Sequence, residues 1–318
     1  CVRGEALGKV FNAKDKVYYT TLWDPMQWVL GPSNDSSVSF QTVSGRKQLT
    51  PADFMKAMHE IRPGIACLLS DHIKPSSSGR TRKSVKRTIE WTRECIKISK
   101  KIWPEKSGEE LKNKNSSSAP KLLGVIEGGS DLKGREVCAK ALGEIKELDG
   151  FVIAGLHSGE SPEYRERIIR EVTAVIPDEK PLVSTSKGTP LSVLHEVSLG
   201  VDIFESQYPE MLTRMGHASC FALSPKADEP SRPSKLNLWD PKYKVDKSPI
   251  VPGCSCYTCQ THTKAYLHHL LNTHEMLAQV LLQLHNVYHY QRFFVHIRSA
   301  VRKGQFEAYR AAFESAFE

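Results

Sequence analysis

The sequence lacks any long hydrophobic run. No stretch approaches the roughly 18 uninterrupted apolar residues of a membrane-spanning helix, and no basic-then-apolar leader of the secretory kind is present. Internal repeats at solenoid periods are also missing. The 318 residues are 40% hydrophobic and 25% charged, values that are ordinary for a globular protein with a sizeable core. We therefore expect an intracellular chain with one large domain or two smaller ones.

The eight cysteines are distributed unevenly. Five stand singly, whereas Cys254, Cys256 and Cys259 fall within six residues. In an intracellular chain, scattered cysteines are usually reduced, and a tight trio indicates metal ligation. Cys254 and Cys256 are too close in sequence to form an unstrained disulfide. Three thiolates on one turn supply three of the four ligands of a structural zinc, so the sequence predicts one such site that needs a fourth ligand.

The fourth ligand has to come from the histidines that follow the cysteines. His262 is near in sequence, whereas a straight helix from Cys259 would carry His285 about 39 Å away, at about 1.5 Å per residue. Asn272 with Glu275 three residues later predicts an N-cap and its capping partner, and hence a second helix that can return to the cysteine turn. Local spacing permits His285 and leaves His262 open.

Short apolar segments alternate with longer amphipathic segments through the first two thirds of the chain. Such strand and helix units, with continuously apolar strands, are typical of a parallel sheet covered by helices, either a closed barrel or an open doubly wound sheet. The predicted strands are 65–69, 122–126, 151–154, 181–184 and 201–204, and the predicted helices are 84–103, 137–148, 164–175 and 191–198.

Several motifs together resemble one family. The Cys-x-Cys-x-x-Cys cluster with His285 26 residues after Cys259 is similar to the zinc signature of tRNA-guanine transglycosylases. Further matches, in the family's order, are Ile126-Glu127-Gly128-Gly129, Gly155-Leu156-His157-Ser158-Gly159-Glu160 and Gly200-Val201-Asp202-Ile203-Phe204. Members of the family exchange guanine at the tRNA wobble position for queuine or a precursor. The resemblance implies that His285 is the fourth zinc ligand.

The resemblance also implies a fold. Family members are α/β proteins with a TIM (β/α)8-type barrel, and this chain begins after the family's first strands. We therefore expect a partial barrel of roughly six βα units in residues 1–250. A zinc-binding subdomain with the final helices would follow in residues 251–318.

The family's active-site positions are altered in this sequence. Glu205 stands where the catalytic nucleophile is an aspartate, and the added methylene displaces the carboxylate by about 1 Å, which can cost about 100-fold in rate. Glu127 replaces a neutral amide, and an ionised carboxylate cannot donate a hydrogen bond to a base. Asp71 matches the aspartate that reads the base edge, and Gly155 matches the glycine whose backbone contacts the base. The resemblance thus implies no catalytic residue, a degenerate nucleophile position at Glu205, and pocket remnants at Asp71, Glu127 and Gly155.

Within the family, Phe204-Glu205-Ser206 and Gly253-Cys254-Ser255-Cys256-Tyr257 resemble the non-catalytic accessory members. This implies a heterodimer with a catalytic queuine tRNA-ribosyltransferase subunit, help in docking tRNA, a cytoplasmic location and peripheral contact with the mitochondrial outer membrane. Two alternatives stay open. One is an active base-exchange transferase that uses Glu205 as its nucleophile, and the other is a zinc-dependent RNA-binding module without an enzyme partner.

Two surface candidates accompany these motifs. The formal net charge of +8 permits a nucleic-acid partner without requiring one. A basic cluster could track tRNA phosphates or could be an ordinary solvated helix start, and an aromatic group could supply subunit contacts or belong to the core. The basic cluster is Arg80, Arg82, Lys83, Lys86 and Arg87, and the aromatic group is Tyr288, Tyr290, Phe293 and Phe294.

Overall fold

The computed structural model describes most of the chain, which folds into two compact units. The described residues are 11–12, 16–22, 33–42, 44–73, 78–104, 119–156, 160–224 and 233–317. The first unit contains residues 1–186 and 199–205, and the second contains 187–198 and 206–318. The predicted zinc-binding subdomain, 251–318, lies within the second unit, while the predicted domain boundary at residue 250 stays a prediction.

In these described residues, ten strands form three sheets. A six-stranded sheet has the order β1-β4-β5-β6-β7-β8, and two antiparallel pairs, β2 with β3 and β9 with β10, are separate from it. The strands are β1 Tyr19–Thr20, β2 Val38–Thr42, β3 Gly45–Leu49, β4 Ile65–Cys67, β5 Lys121–Ile126, β6 Gly150–Ile153, β7 Leu182–Ser186, β8 Ile203–Ser206, β9 His217–Ser219 and β10 Lys235–Asn237.

Ten α-helices lie in the described parts of the chain. Five of them follow strands of the large sheet, as expected for βα units. The helices are α1 Pro51–Ile61, α2 Ser78–Ile102, α3 Leu132–Gly143, α4 Pro162–Thr173, α5 Pro190–Ser198, α6 Tyr208–Arg214, α7 Tyr257–Thr261, α8 Lys264–Asn272, α9 Met276–Arg302 and α10 Phe306–Ala316.

The large sheet is parallel and curled. Each pairing from β1 to β7 is parallel, and β8 lies next to β7. The Tyr19 hydroxyl on β1 lies 3.4 Å from Glu205 Oε2 on β8, although these are the first and last strands in the sheet order. Strands at opposite ends of a sheet can only meet in this way if the sheet curls toward closure. The expected α/β, TIM-type partial barrel is therefore confirmed as a curled half-barrel.

The core of the first unit lies between the sheet and its helices. Trp91 of α2 and Phe151 of β6 are fully buried in it. Apolar residues fill both faces of the central strands, which explains why these strands appear in the sequence as continuous rather than alternating runs. All five predicted strands are present with shifts of one or two residues. Helix α2 begins six residues earlier than the periodicity predicted.

In the second unit the chain folds back between α8 and α9. His274 adopts a left-handed φ of 55°, and the amide of Glu275 donates to the carbonyl of Leu270. The predicted N-cap at Asn272 is wrong: Asn272 is the last residue of α8, its side-chain amide donates to the His268 carbonyl, and Glu275 is the N-cap of α9. The predicted fold-back is therefore present, but the turn at the C-terminus of α8 produces it. The N-cap of α9 lies three residues later than predicted, at Glu275 instead of Asn272.

Helix α9 supplies much of the second unit's core. Tyr290 and Phe293 are buried, so for these two residues the core alternative holds, while Tyr288 and Phe294 are half-buried. Phe293 packs against Phe221 and Phe313 with ring centroids 5.5 and 5.2 Å apart. Among the described residues, no helix is both long and apolar enough to cross a membrane.

Candidate functional site

The three cysteines and His285 come together in the second unit. Cys254 lies in the turn before α7, Cys256 is its N-cap, Cys259 lies within it, and His285 lies on α9. The four ligand atoms all lie within 4.8 Å of one another. His285 Nδ1 is 3.4 Å from Cys256 Sγ and 3.3 Å from Cys259 Sγ. His262 is not part of the cluster, and its ring stacks on Tyr266 instead.

A hydrogen bond on the side of the His285 ring away from the cysteines fixes the orientation of the ring. Its Nε2 lies 2.8 Å from the carbonyl oxygen of Ser219 on β9. Because a carbonyl only accepts, Nε2 must carry the proton and donate, which leaves the lone pair of Nδ1 directed at the sulfurs. This arrangement, with one ring nitrogen held by a backbone carbonyl and the other free to bind, is the usual one for a metal-ligating histidine.

Asn286, the next residue on α9, holds β9 in place. Its Oδ1 accepts the Ser219 amide at 2.8 Å, and its Nδ2 donates to the His217 carbonyl at 2.9 Å and to the Thr213 hydroxyl at 3.0 Å. Asn286 is fully buried, so the Ser219 amide and the His217 carbonyl would lose these bonds without it, whereas the Thr213 hydroxyl also donates to the Pro209 carbonyl. The side chain of Asn286 thus positions the carbonyl that orients His285.

The donor set fits a tetrahedral metal ion. With metal–sulfur bonds of about 2.3 Å, the sulfurs of a tetrahedral zinc site lie about 3.8 Å apart, which agrees with four ligand atoms inside 4.8 Å. The thiols also hydrogen-bond to one another, which lowers the pKa of Cys256 and raises that of Cys259, so all three can be thiolates together only with a cation between them. Because all four ligands come from the protein, a metal held here would be structural.

Glu205 is held by hydrogen bonds within the first unit. The Tyr19 hydroxyl lies 3.4 Å from Glu205 Oε2 and also 2.8 Å from the buried Cys67 thiol. Burial, followed by the nearby Cys67 and Glu205, raises the pKa of Tyr19, so this phenol stays protonated and can donate. The Glu205 carboxylate therefore has a neutral donor as a partner, while its assignment as a degenerate nucleophile stays a prediction.

Asp71 lies after β4 and is enclosed by α2. Arg80 makes two hydrogen bonds to its carboxylate, at 2.5 and 2.9 Å, and Arg87 adds a third at 3.1 Å. Its backbone is also held, because its amide donates to the Thr88 hydroxyl oxygen and its carbonyl accepts from the Ser84 hydroxyl. The Asp71 side chain is only 1% exposed, so two guanidinium groups compensate its charge.

Glu127 and Gly155 lie beside a second buried ionic group. Glu127 Oε1 is 2.9 Å from His72 Nδ1. The fully buried Arg135 donates to the carbonyls of Ile126 and Gly129. Burial alone would raise the pKa of Glu127, but the charges of His72 and Arg135 outweigh it and lower that pKa below the usual range.

Gly155 closes over this group with a left-handed φ of 72°. A Cβ at this position would lie 3.1 Å from His72 Cε1 and 3.4 Å from Arg135 Nη2, so a larger residue would press on both. Residues 157–159 of the same predicted turn lie outside the described residues. The roles of Asp71, Glu127 and Gly155 as remnants of a base pocket stay predictions.

Sequence reasoning missed the residues that support these sites. Ser219 and Asn286 lie 67 residues apart, and Tyr19 and Glu205 lie 186 apart, so no local spacing could have paired them. One signal was available: Asn286 directly follows the histidine that the family resemblance assigns as a metal ligand, where a polar side chain can support the site by hydrogen bonds.

Together, the curled parallel sheet with its outer helices and the Cys3His cluster define an α/β-barrel protein with a C-terminal metal-binding region. The sequence model of the queuine tRNA-ribosyltransferase family matches residues 16–318, and the chain belongs to that family.

Similar proteins share most of their length with this chain. Queuine tRNA-ribosyltransferase accessory subunit 2 of Xenopus tropicalis is 32% identical over 339 residues, which cover 96% of this chain and 79% of that protein. The human protein of the same name is 31% identical over 334 residues, covering 94% and 77%. The Culex quinquefasciatus protein is 34% identical over 309 residues, covering 94% and 69%.

Proposed function

We propose that this chain is the non-catalytic accessory subunit of a heterodimeric tRNA-guanine transglycosylase. It supports the exchange of guanine for queuine at the tRNA wobble position, and its catalytic partner forms the covalent intermediate with tRNA. The similar proteins described above are all named accessory subunits, which supports this role.

The observation that carries the proposal is that positively charged side chains already hold the two carboxylates that the family resemblance assigns to the base pocket. Asp71 is held by Arg80 and Arg87, and Glu127 is held by His72 with Arg135 beside it. A carboxylate has to offer free lone pairs to read the donors of a base, and exchanging these contacts for a base would leave the partly buried Arg80 and Arg87 and the fully buried Arg135 uncompensated. In addition, the side chain of Glu205 is one methylene longer than the aspartate that serves as nucleophile in the catalytic members of the family.

The second unit has a surface that suits the catalytic partner. Helices α6 and α9 form a groove of about 840 Å³, lined by the apolar residues Val280, Leu284 and Tyr288 and flanked by Glu210 and Arg214. Val280 and Leu284 are 53% and 46% exposed, although both are apolar. Because Leu284 directly precedes the ligand His285, a metal that fixes α9 would also fix this face.

We further propose that the metal is a single structural zinc. Three thiolates and one imidazole are ligands that zinc prefers. Magnesium and calcium favour oxygen ligands instead. Iron and copper usually act in sites with an open coordination position or a distinct geometry, whereas four protein ligands close this one. Elemental analysis of the purified protein, with an expected ratio of about one zinc per chain, tests this assignment.

The function is tested by separating the two subunits' contributions. The chain is co-expressed with a catalytic homologue, and queuine incorporation into tRNA is measured for wild type and Glu205→Ala. The proposal expects the same rate for both, and loss of activity when the partner's nucleophilic aspartate is replaced. A covalent tRNA adduct trapped on this chain would instead establish an active transferase that uses Glu205. Tight tRNA binding by the isolated chain, with no association with the catalytic homologue, would favour the RNA-binding module.

We propose a cytoplasmic location with peripheral contact at the mitochondrial outer membrane, on the family resemblance alone. Cell fractionation tests this location. The expected result is recovery partly in the cytosol and partly with mitochondria, with release of the mitochondrial share by a carbonate wash. Retention of the chain in the mitochondrial matrix would contradict it.

A further inference from the structure

The outer surface of the first unit has a groove that the proposed function does not use. It lies between α2 and α3 and has a volume of about 500 Å³. Val85 and Ile89 of α2 and Val137 of α3 supply its apolar floor, while Gly134 and Ala141 are too small to fill the space between the helices. Val137 is 49% exposed. A groove with an apolar floor of this kind is typical of a surface that another molecule covers.

The cations of α2 divide into two groups with different surroundings. The helix carries nine Lys and Arg residues and only two Glu residues. Arg80 and Arg87 turn inward to Asp71, so they are not available to a ligand. Of the basic cluster singled out in the sequence, Arg82 and Lys86 line the groove instead.

The groove has more cations than its own carboxylates can compensate. Four cations line it: Arg82, Lys86 and Arg93 on α2, and Lys133 on α3. Within the described part of the chain, Lys86 has one weak contact of 3.8 Å with Glu90, and the other three form no ion pair. The lining acids are Glu90 and Asp131. Asp131 is also the N-cap of α3, whose helix dipole already stabilises a negative charge there.

We propose that this groove docks an acidic amphipathic helix of a partner protein. Apolar side chains of that helix enter between Val85, Ile89 and Val137, and its carboxylates meet the cations on both walls. Charge complementarity selects an acidic partner, and the apolar floor selects a protein over RNA, since a phosphate backbone has no apolar group to place there.

The test uses a designed probe and the full-length, metal-loaded chain. The probe is a fluorescein-labelled helical peptide with Leu at i, i+4 and i+7 and Glu on the flanking positions. A scrambled peptide of the same composition, with its Leu residues spread around the helix, serves as the control peptide. Binding is followed by fluorescence anisotropy at low and at physiological salt.

Two independent changes in the groove should weaken binding of the probe peptide. Val137→Glu places a carboxylate on the apolar floor, and because this residue is half exposed the fold should tolerate it. Reversal of Arg82, Arg93 and Lys133 to Glu removes the complementary charge. Each is expected to raise the dissociation constant by about tenfold or more, with a larger effect at low salt. The matched control reverses Lys83, Lys101 and Lys146, which lie outside the groove, and should change it by less than about twofold.

The outcomes separate the alternatives. Equal binding of the scrambled peptide, or an unchanged dissociation constant in both groove variants, would overturn the proposal. If the charge reversal weakens tRNA binding while Val137→Glu does not, and the peptide does not respond, the groove is an RNA face and the proposal is wrong. Unchanged metal content and melting temperature in each variant show that the fold is intact. Should Val137→Glu fail this check, Ala141→Trp fills the same space and replaces it.

Discussion

At the scale of single residues, His285 has a role that local spacing left open. Its Nδ1 faces Cys256 and Cys259 while its Nε2 donates to Ser219. His262, the nearer candidate, lies at the end of α7 with its ring stacked on Tyr266. The two histidines therefore make a clean comparison between a ligand and a surface residue.

We expect His285→Ala to lose the metal and, with it, association with the catalytic homologue. Three thiolates alone leave the site open to water and to competing chelators, and the fixed turn before α7 loses its anchor on α9. Elemental analysis and co-purification measure the two effects. His262→Ala is the control and should retain both; a variant at His262 that loses the metal would show that the ligand assignment is wrong.

Glu127 allows a pH-dependent test. His72 and Arg135 lower its pKa in the folded state, so its stabilising contribution is complete above its unfolded pKa of about 4.3 and is lost as the pH falls through the folded value. Glu127→Gln should lower the free energy of unfolding by about 3 kcal/mol at pH 7, because it leaves a buried charge uncompensated.

Urea titrations of wild type and Glu127→Gln across the acid range measure this contribution. The difference in unfolding free energy should shrink below about pH 4.3, where the Glu127 carboxylate of the unfolded wild-type chain begins to take up a proton while the folded one stays ionised. Protonation of the cysteines affects both proteins alike and cancels in the comparison. A difference that stays constant down to pH 3.5 would exclude the ion pairs as its cause.

At the scale of elements, helix α2 is attached to the end of β4 by Asp71. Asp71→Asn keeps the shape of the side chain and removes the charge that compensates Arg80 and Arg87. We expect it to cost about 2 kcal/mol in unfolding free energy and to increase amide exchange in the first turns of α2. The control is Asp35→Asn: its carboxylate also pairs with Arg87 but is 89% exposed, so its loss should change the unfolding free energy far less than Asp71→Asn does. Equal losses in the two variants would contradict the buried anchor.

The elements also mark where sequence reasoning succeeds. Strands β4 to β8 and helices α2 to α5 could be predicted, because their apolar residues recur at periods that depend only on local geometry. The β9–β10 pair and the β2–β3 hairpin were not predicted, since their strands are largely polar in sequence and contain no continuous apolar run. The capping signal at Asn272 was misleading because Asn also favours the last turn of a helix, where its amide can donate to the carbonyl of His268.

The sites, like the elements, could be predicted only where their residues lie close together in sequence. The cysteine trio was evident because its members are adjacent in sequence, whereas the enclosure of Asp71 by Arg80 and Arg87 was not. Those two arginines appeared as part of an exposed basic cluster. Which side of a helix start faces inward depends on the tertiary position of the preceding loop, and that position is set by packing rather than by spacing.

At the scale of the whole molecule, the metal should stabilise one unit and not the other. All four ligands lie within the second unit. Removal of the metal with a strong chelator is expected to increase deuterium uptake in α7, β9 and the start of α9, and to leave β5 and β6 unchanged. Mass spectrometry of exchanged peptides measures both regions in one experiment. Unchanged uptake in Tyr257–Thr261 after verified metal loss would refute a structural role.

Subunit association can be tested without disturbing the metal. Leu284→Arg places a charge in the α6–α9 groove, on an exposed position, and should weaken the complex with the catalytic homologue by about 2 kcal/mol or more, since a charge has to be desolvated there. Val301→Arg is the matched control, because Val301 is 51% exposed near the other end of α9 and does not line the groove. Analytical ultracentrifugation of mixed subunits compares the two. Equal association of wild type and Leu284→Arg would place the partner elsewhere.

The side chains of α9 carry a consequence for how this protein family can change in length. His285, Asn286 and Tyr290 each bond to a fixed backbone or side-chain group, and adding one residue to the helix before them would rotate all three by about 100°. No single compensating substitution could restore three contacts at once. The short connection around His274, with its left-handed backbone, is the place where an insertion leaves that rotation unchanged. Helical phase therefore constrains the part of α9 that precedes His285, residues 276–284, and natural length variation between Cys259 and His285 should be confined to this turn.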